Sequence, residues 1–113
     1  MNRSSTRSCR ARAAVCALSV ALLAGCSEGG GDPLVARGRQ VYLAQCTQCH
    51  NVDPASDGPV GPGVKGSSRE LLEAKVLRGE YPPGYTPKRP TKVMPPQPAL
   101  APDIAALAAY LKP

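Results

Sequence analysis

The chain has 113 residues, with 14 Lys and Arg against 8 Asp and Glu, one His, five Cys, 13 Pro, no Trp and no Phe. Four of the basic residues precede Cys26 and every Asp and Glu follows it, so the part from Cys26 onward holds ten basic against eight acidic residues, a surplus of only two. These figures exclude a two-domain protein and remove the reason to expect a nucleic-acid partner, because the apparent basicity sits at the N-terminus.

In chain order, Arg3, Arg7, Arg10 and Arg12 lead into an apolar run over residues 13–24 that only Ser19 interrupts. A positive stretch followed by a short apolar one is the pattern of a secretory signal. At 12 residues the run falls short of the ~18 needed to cross a bilayer as a helix. It closes with Leu23-Ala24-Gly25-Cys26, which resembles the lipobox of bacterial lipoproteins. The resemblance implies cleavage after Gly25, so that residues 1–25 are signal peptide, and lipidation of Cys26 by thioether-linked diacylglycerol, with an N-acyl chain in many bacteria. More than one chain matters, since a single acyl chain gives only marginal membrane residence. The expected location is a bacterial membrane, facing the periplasm. Ser27, standing where some lineages use Asp for inner-membrane retention, favours the outer membrane. The plainer alternative is an ordinary signal peptide that happens to carry a cysteine. Cys9 and Cys16 leave with the signal, and Cys46 and Cys49 remain as a pair.

Residues 26–33 form the lipidated cysteine and a short tether, whose run Ser-Glu-Gly-Gly-Gly reaches ~12 Å as flexible coil. Asp32-Pro33 then suits a helix start, Asp as N-cap and Pro in the first turn. Over residues 34–45 Leu34, Gly38, Val41 and Tyr42 recur on one face, which predicts an amphipathic helix running into Cys46. Residues 51–66 are rich in Pro, Gly, Asp and Ser and read as loop. Ser67-Ser68-Arg69-Glu70 reads as a capping box opening a second helix through Leu71, Leu72 and Val76, with Gly79 to stop it. The stretch 81–98 holds seven prolines, a density incompatible with helix or central strand. Pro102 and Asp103 suit the first turn of a last helix with Ile104, Leu107, Ala108 and Leu111 on one face. The expected fold is all-α, about three helices with long Pro/Gly-rich loops. Such a small domain, lacking large aromatics, needs a staple or cofactor to complete its core.

Residues 46–50 read Cys-Thr-Gln-Cys-His. A thioredoxin-type dithiol asks for a parallel-sheet context, and no β-branched runs surround this pair. A tetrahedral zinc site asks for four ligands, of which Cys46, Cys49 and His50 supply three, with no further Cys or His downstream. Cys-x-x-Cys-His is the attachment signal for c-type haem: two thiols add across the haem vinyl groups, and the adjacent His is delivered to one face of the iron. After removal of Met1, Met94 is the only methionine. A lone Met is most often core filler. In Lys92-Val93-Met94-Pro95-Pro96, however, it sits on an irregular proline-flanked loop, where a held-out thioether suits an axial ligand. A His/Met pair favours reduced iron and raises its potential.

The stretch 34–113 resembles a class I c-type cytochrome, through Gly38-x-x-x-Tyr42 before CTQCH, Gly61-Pro62-Gly63-Val64-Lys65-Gly66 after it, Met94-Pro95, and Leu107-x-x-Tyr110 near the end. The resemblance implies the cytochrome c fold around one covalently bound haem c, with the iron between His50 and Met94. It implies that the first and last helices cross at Gly38, pairing Gly38 and Tyr42 with Leu107 and Tyr110. It implies that the carbonyl of Pro62 accepts the proximal histidine's ring N–H, with Pro59 as rival. The family's tryptophan near a haem propionate is absent, which leaves Tyr81, Tyr85 or Arg89 for that place.

With both axial positions filled, the expected role is non-enzymatic: one-electron transfer between redox partners in a respiratory chain, as a monomer or as a subunit of a respiratory complex. Lys65, Lys88, Arg89 and Lys92 are candidates for a basic rim that steers a partner acidic at its docking surface; ordinary solvated loop charge is the alternative. The competing functions are a sensor or gas- or peroxide-reactive haem domain, if Met94 is labile, and the cytochrome subunit of a larger oxidoreductase. A non-haem lipoprotein using Cys46 and Cys49 structurally is a third reading.

Overall fold

Helix α1 (Pro33–Gln45) starts where its caps dictate: the Leu34 N–H donates to the Asp32 side chain at 2.8 Å, and Pro33 occupies the first turn, where its missing N–H costs nothing. The computed structural model describes residues 30–113, of which Gly31–Pro113 form one compact unit. The signal segment, the lipobox with Cys26 and tether residues 27–29 lie outside the described residues. Burial on α1 begins only at Gly38, with Val41 and Tyr42. Leu34, expected on that face, is 45 % exposed, because the first turn precedes the point where another helix covers α1.

Helix α2 (Arg69–Leu72) is capped one residue later than the Ser67/Glu70 box suggested. The Ser68 hydroxyl accepts from the Leu71 N–H at 3.2 Å, while Ser67 closes the preceding turn by donating to the Val64 carbonyl. The helix then widens into a π-helical segment, Glu73–Leu77, and ends at Gly79, whose φ of 74° suits a residue without Cβ. A 3-10 segment, Pro98–Asp103, leads into α3 (Ile104–Tyr110), so Pro102 and Asp103 finish the 3-10 segment rather than open the α-helix. Asp103 is drawn away from capping by Arg37, which donates to its two carboxylate oxygens at 2.8 and 3.1 Å. The described residues thus contain three α-helices and no strand, as the all-α expectation has it.

The core lies where α1 crosses α3. Tyr42, Ile104, Leu107 and Leu111 are completely enclosed, with Val41, Leu72 and Val76 around them. The rings of Tyr42 and Tyr110 meet at 5.6 Å in a tilted pair, and the Tyr42 hydroxyl donates to the Asn51 carbonyl, so its polar end is satisfied inside the core. The crossing is close because position 38 has no side chain: a Cβ there would run into the Ala106 carbonyl and lie 2.8 Å from Tyr110 Cβ. Both obstacles belong to a packed helix, so neither yields easily. Replacing Gly38 with Ala should therefore destabilise the protein by about 1–3 kcal/mol, as overpacking does elsewhere, read as a lowered thermal midpoint.

Candidate functional site

The CTQCH segment continues the C-terminal end of α1. The Cys46 N–H donates to the Tyr42 carbonyl, and the Cys49 and His50 N–H groups both donate to the Cys46 carbonyl at 3.2 and 2.9 Å. One tight turn therefore carries both thiols and the imidazole. The thiols are free. Burial pushes the Cys46 thiol up to about 11, so at neutral pH it is an uncharged, weakly polar group. That counts against a redox thiolate at this position. Among the described residues no cluster of three His, Cys, Asp or Glu side chains is placed to hold a metal ion. Tyr42, beside this turn, is pushed up to about 12, first by burial and then by the neighbouring Cys46 and Tyr110.

Loop 57–63 folds directly onto the turn. The Val60 and Gly61 N–H groups both donate to the Cys49 carbonyl, and Gly58 N–H donates to the Gly61 carbonyl. Two glycines permit this approach: a Cβ on Gly58 would meet the Cys49 carbonyl and the His50 backbone, and one on Gly61 would meet the imidazole itself. The buried His50 ring has its Nδ1 2.8 Å from the carbonyl oxygen of Pro62, whereas Pro59 is exposed. A carbonyl only accepts, so Nδ1 carries the proton and Nε2 is the nitrogen left to bind a metal.

Cys46, Cys49, His50, Pro62 and Met94 all line one cleft that opens to solvent. The walls are mostly apolar, from residues such as Val64, Leu72, Val76 and Leu107. Met94 is half-buried and packs on the core cluster. Its loop is anchored on the C-terminal side by the Gln97 N–H, which donates to the Val76 carbonyl within the π-helical segment, and by the Pro96 ring lying against Gly79. A largely apolar cleft bearing two thiols and an imidazole on one turn, and a thioether on another segment, fits a covalently attached porphyrin.

The family model for Cytochrome c matches residues 35–113, well over half of the chain. The chain belongs to the cytochrome c family. Comparison with curated proteins and with solved structures gave no match. The cytochrome carries covalently bound haem c, with iron, and the general business of such domains is haem-based electron transfer. Among its described residues no helix is long and apolar enough to cross a membrane.

Several cleft residues had only faint signals in the sequence. Tyr81 and Tyr85 stack at 5.3 Å, and the Lys75 ammonium lies 4.3 Å from the Tyr81 ring centre, all three lining the cleft. Of the four expected rim cations, Lys88 and Arg89 are tied to a neighbouring loop: Lys88 Nζ donates to the Gly63 carbonyl at 2.7 Å and Arg89 to the Val60 carbonyl at 2.8 Å. Arg89 is half-buried, whereas Lys65, Lys88 and Lys92 are exposed. Asp57, which no sequence motif singled out, accepts from the Gly63 N–H and pairs with Arg89 at 3.2 Å. The Gly63 N–H above all, and Arg89 after it, hold its carboxyl below the usual range. A carboxylate lowered on folding stabilises the folded state above the unfolded value of about 3.9, and that contribution is lost as pH falls through the lowered one. Denaturant unfolding across pH should therefore show stability declining in the acid carboxylate range. Asp57→Asn should reduce both the neutral-pH stability and the steepness of that decline.

Proposed function

We propose that this cytochrome is a one-electron carrier with iron held between His50 and Met94, tethered to a bacterial membrane through lipid on Cys26 and exchanging electrons with protein partners in a respiratory chain. The observation that carries the reading is the convergence of Cys46, Cys49, His50 and Met94 on one apolar cleft, with the His50 ring fixed through Nδ1 so that Nε2 is the free donor. Haem c, when bound, supplies an iron that changes oxidation state by one electron without forming or breaking bonds to a substrate.

The chain's own residues do the rest. Cys46 and Cys49 hold the group by thioether bonds. Pro62 keeps the imidazole in one tautomer and orientation. Met94 would offer the iron a soft, neutral thioether, which would favour the reduced state over binding of a substrate. The apolar walls limit water, so little solvent has to reorganise when the charge changes. At the cleft's mouth Val60 and Val93 are 43 % and 63 % exposed, and Lys65 and Lys92 lie in the same two loops. An apolar contact edged by cations suits a redox partner that is acidic at its docking surface.

Visible spectra of the oxidised and reduced protein provide the test. The wild type should show c-type bands and a methionine-to-iron charge-transfer band. Met94→Ala should abolish that band, lower the reduction potential and open the iron to added ligand at neutral pH. A wild type that holds haem but lacks the band would overturn His50/Met94 ligation in favour of a ligand-binding domain. Cell fractionation tests the tether: Cys26→Ala should move the haem protein out of the membrane fraction, and unchanged membrane retention would reject lipid on Cys26 as the anchor.

A further inference from the structure

The segment that carries Met94 is long, proline-rich and almost without backbone bonds of its own. Between residues 81 and 96 its one backbone hydrogen bond is internal, from the Tyr85 N–H to the Pro82 carbonyl. Among the described residues, the segment's hydrogen bonds and ion pairs to the rest of the protein come from two adjacent side chains, Lys88 and Arg89. Both reach the same target. Lys88 donates to the carbonyl of Gly63 and Arg89 to that of Val60, residues on either side of Pro62, and Arg89 also pairs with Asp57 at the start of that loop. Asp57 in turn accepts from the Gly63 N–H. The loop that orients His50 and the segment that bears Met94 are thereby joined to each other without any part of the core between them.

We infer that Lys88 and Arg89 form a two-residue strap that positions Met94, holding its segment closed over the cleft by gripping the loop that orients His50. The inference rests on Met94 being the sixth ligand. Hydrogen bonds from charged donors are the stronger kind, and the Gly63 carbonyl that Lys88 grips belongs to a buried residue. A surface ion pair alone does little, but here it adds to two bonds onto main-chain carbonyls that no helix uses. On the far side of Met94 the anchors are backbone and ring contacts at Gln97 and Pro96, so loss of the strap frees the segment at one end only. The open state, with Met94 withdrawn, should then become more populated while the rest of the domain stays folded.

The experiment titrates the oxidised holoprotein with imidazole, which competes for the position Met94 vacates. Apparent affinity scales with the open fraction, so Arg89→Gln and Lys88→Met should each bind imidazole more tightly, and the double variant about tenfold or more. Arg89→Lys, which keeps a charged donor, should fall between Arg89→Gln and the wild type. Lys112→Met serves as the charge-matched control and should bind as the wild type does. If the double variant yields no holoprotein, the two single variants decide. Affinities unchanged from wild type, with the charge-transfer band intact, would overturn the strap while leaving Met94 ligation standing. A shifted reduction potential with unchanged imidazole affinity would overturn it as well, because the cations would then act on the charge of the haem and not on the segment. A wild type without the charge-transfer band would sink Met94 ligation and the strap together.

Discussion

The hydrogen bond between His50 Nδ1 and the Pro62 carbonyl is the constraint on which the site is built. To make it, loop 57–63 has to lie against the CTQCH turn, and that closeness is possible only because Gly58 and Gly61 have no side chains to collide with it. The loop is held there by two N–H groups on the Cys49 carbonyl and by Asp57 closing it onto Gly63. Asp57 and the loop carbonyls then become the docking points for Arg89 and Lys88, so the same small loop faces the histidine on one side and the methionine segment on the other. One orientation of one imidazole thus propagates outward through a chain of short polar contacts.

The remainder of the fold is economical. The described core is a handful of aliphatic residues and Tyr42, gathered at the crossing of α1 and α3. Such a core buries little apolar area for a chain that must order long proline-rich loops, and ordering each residue costs about 1–2 kcal/mol of backbone entropy. The walls of the cleft are continuous with the core through Leu72, Val76 and Leu107, so a haem held there would supply the apolar bulk that the missing Trp and Phe do not. Cleft and hydrophobic core share these side chains, so filling the one would stabilise the other.

Several features were legible before any coordinates. Asp32-Pro33 marks the start of α1, the proline density of 81–98 excludes regular structure, and Gly79 ends the second helix where a left-handed residue is needed. CTQCH and Met94 stood out because each is a rare residue type in an odd context. Other features were not legible. Ser67 and Ser68 are chemically equivalent as caps, and only the turn that already occupies Ser67 makes Ser68 the cap. Leu34 fits the helical periodicity of α1, yet periodicity does not say where along the helix the partner begins to cover it. Asp103 reads as a first-turn acid until Arg37, 66 residues earlier, claims it.

By itself the sequence determined the all-α class and singled out CTQCH and Met94 as candidates, because these depend on local chemistry: caps, prolines, and rare residue types at fixed spacing. Only the tertiary structure decided that Pro62 and not Pro59 faces His50, that Met94 shares the cleft with CTQCH, and that Lys88 and Arg89 grip a loop instead of standing free in solvent. Those outcomes depend on which distant segments meet. That is set by the close α1–α3 crossing at Gly38 and by the fold of loop 57–63, neither of which a spacing along the chain can express.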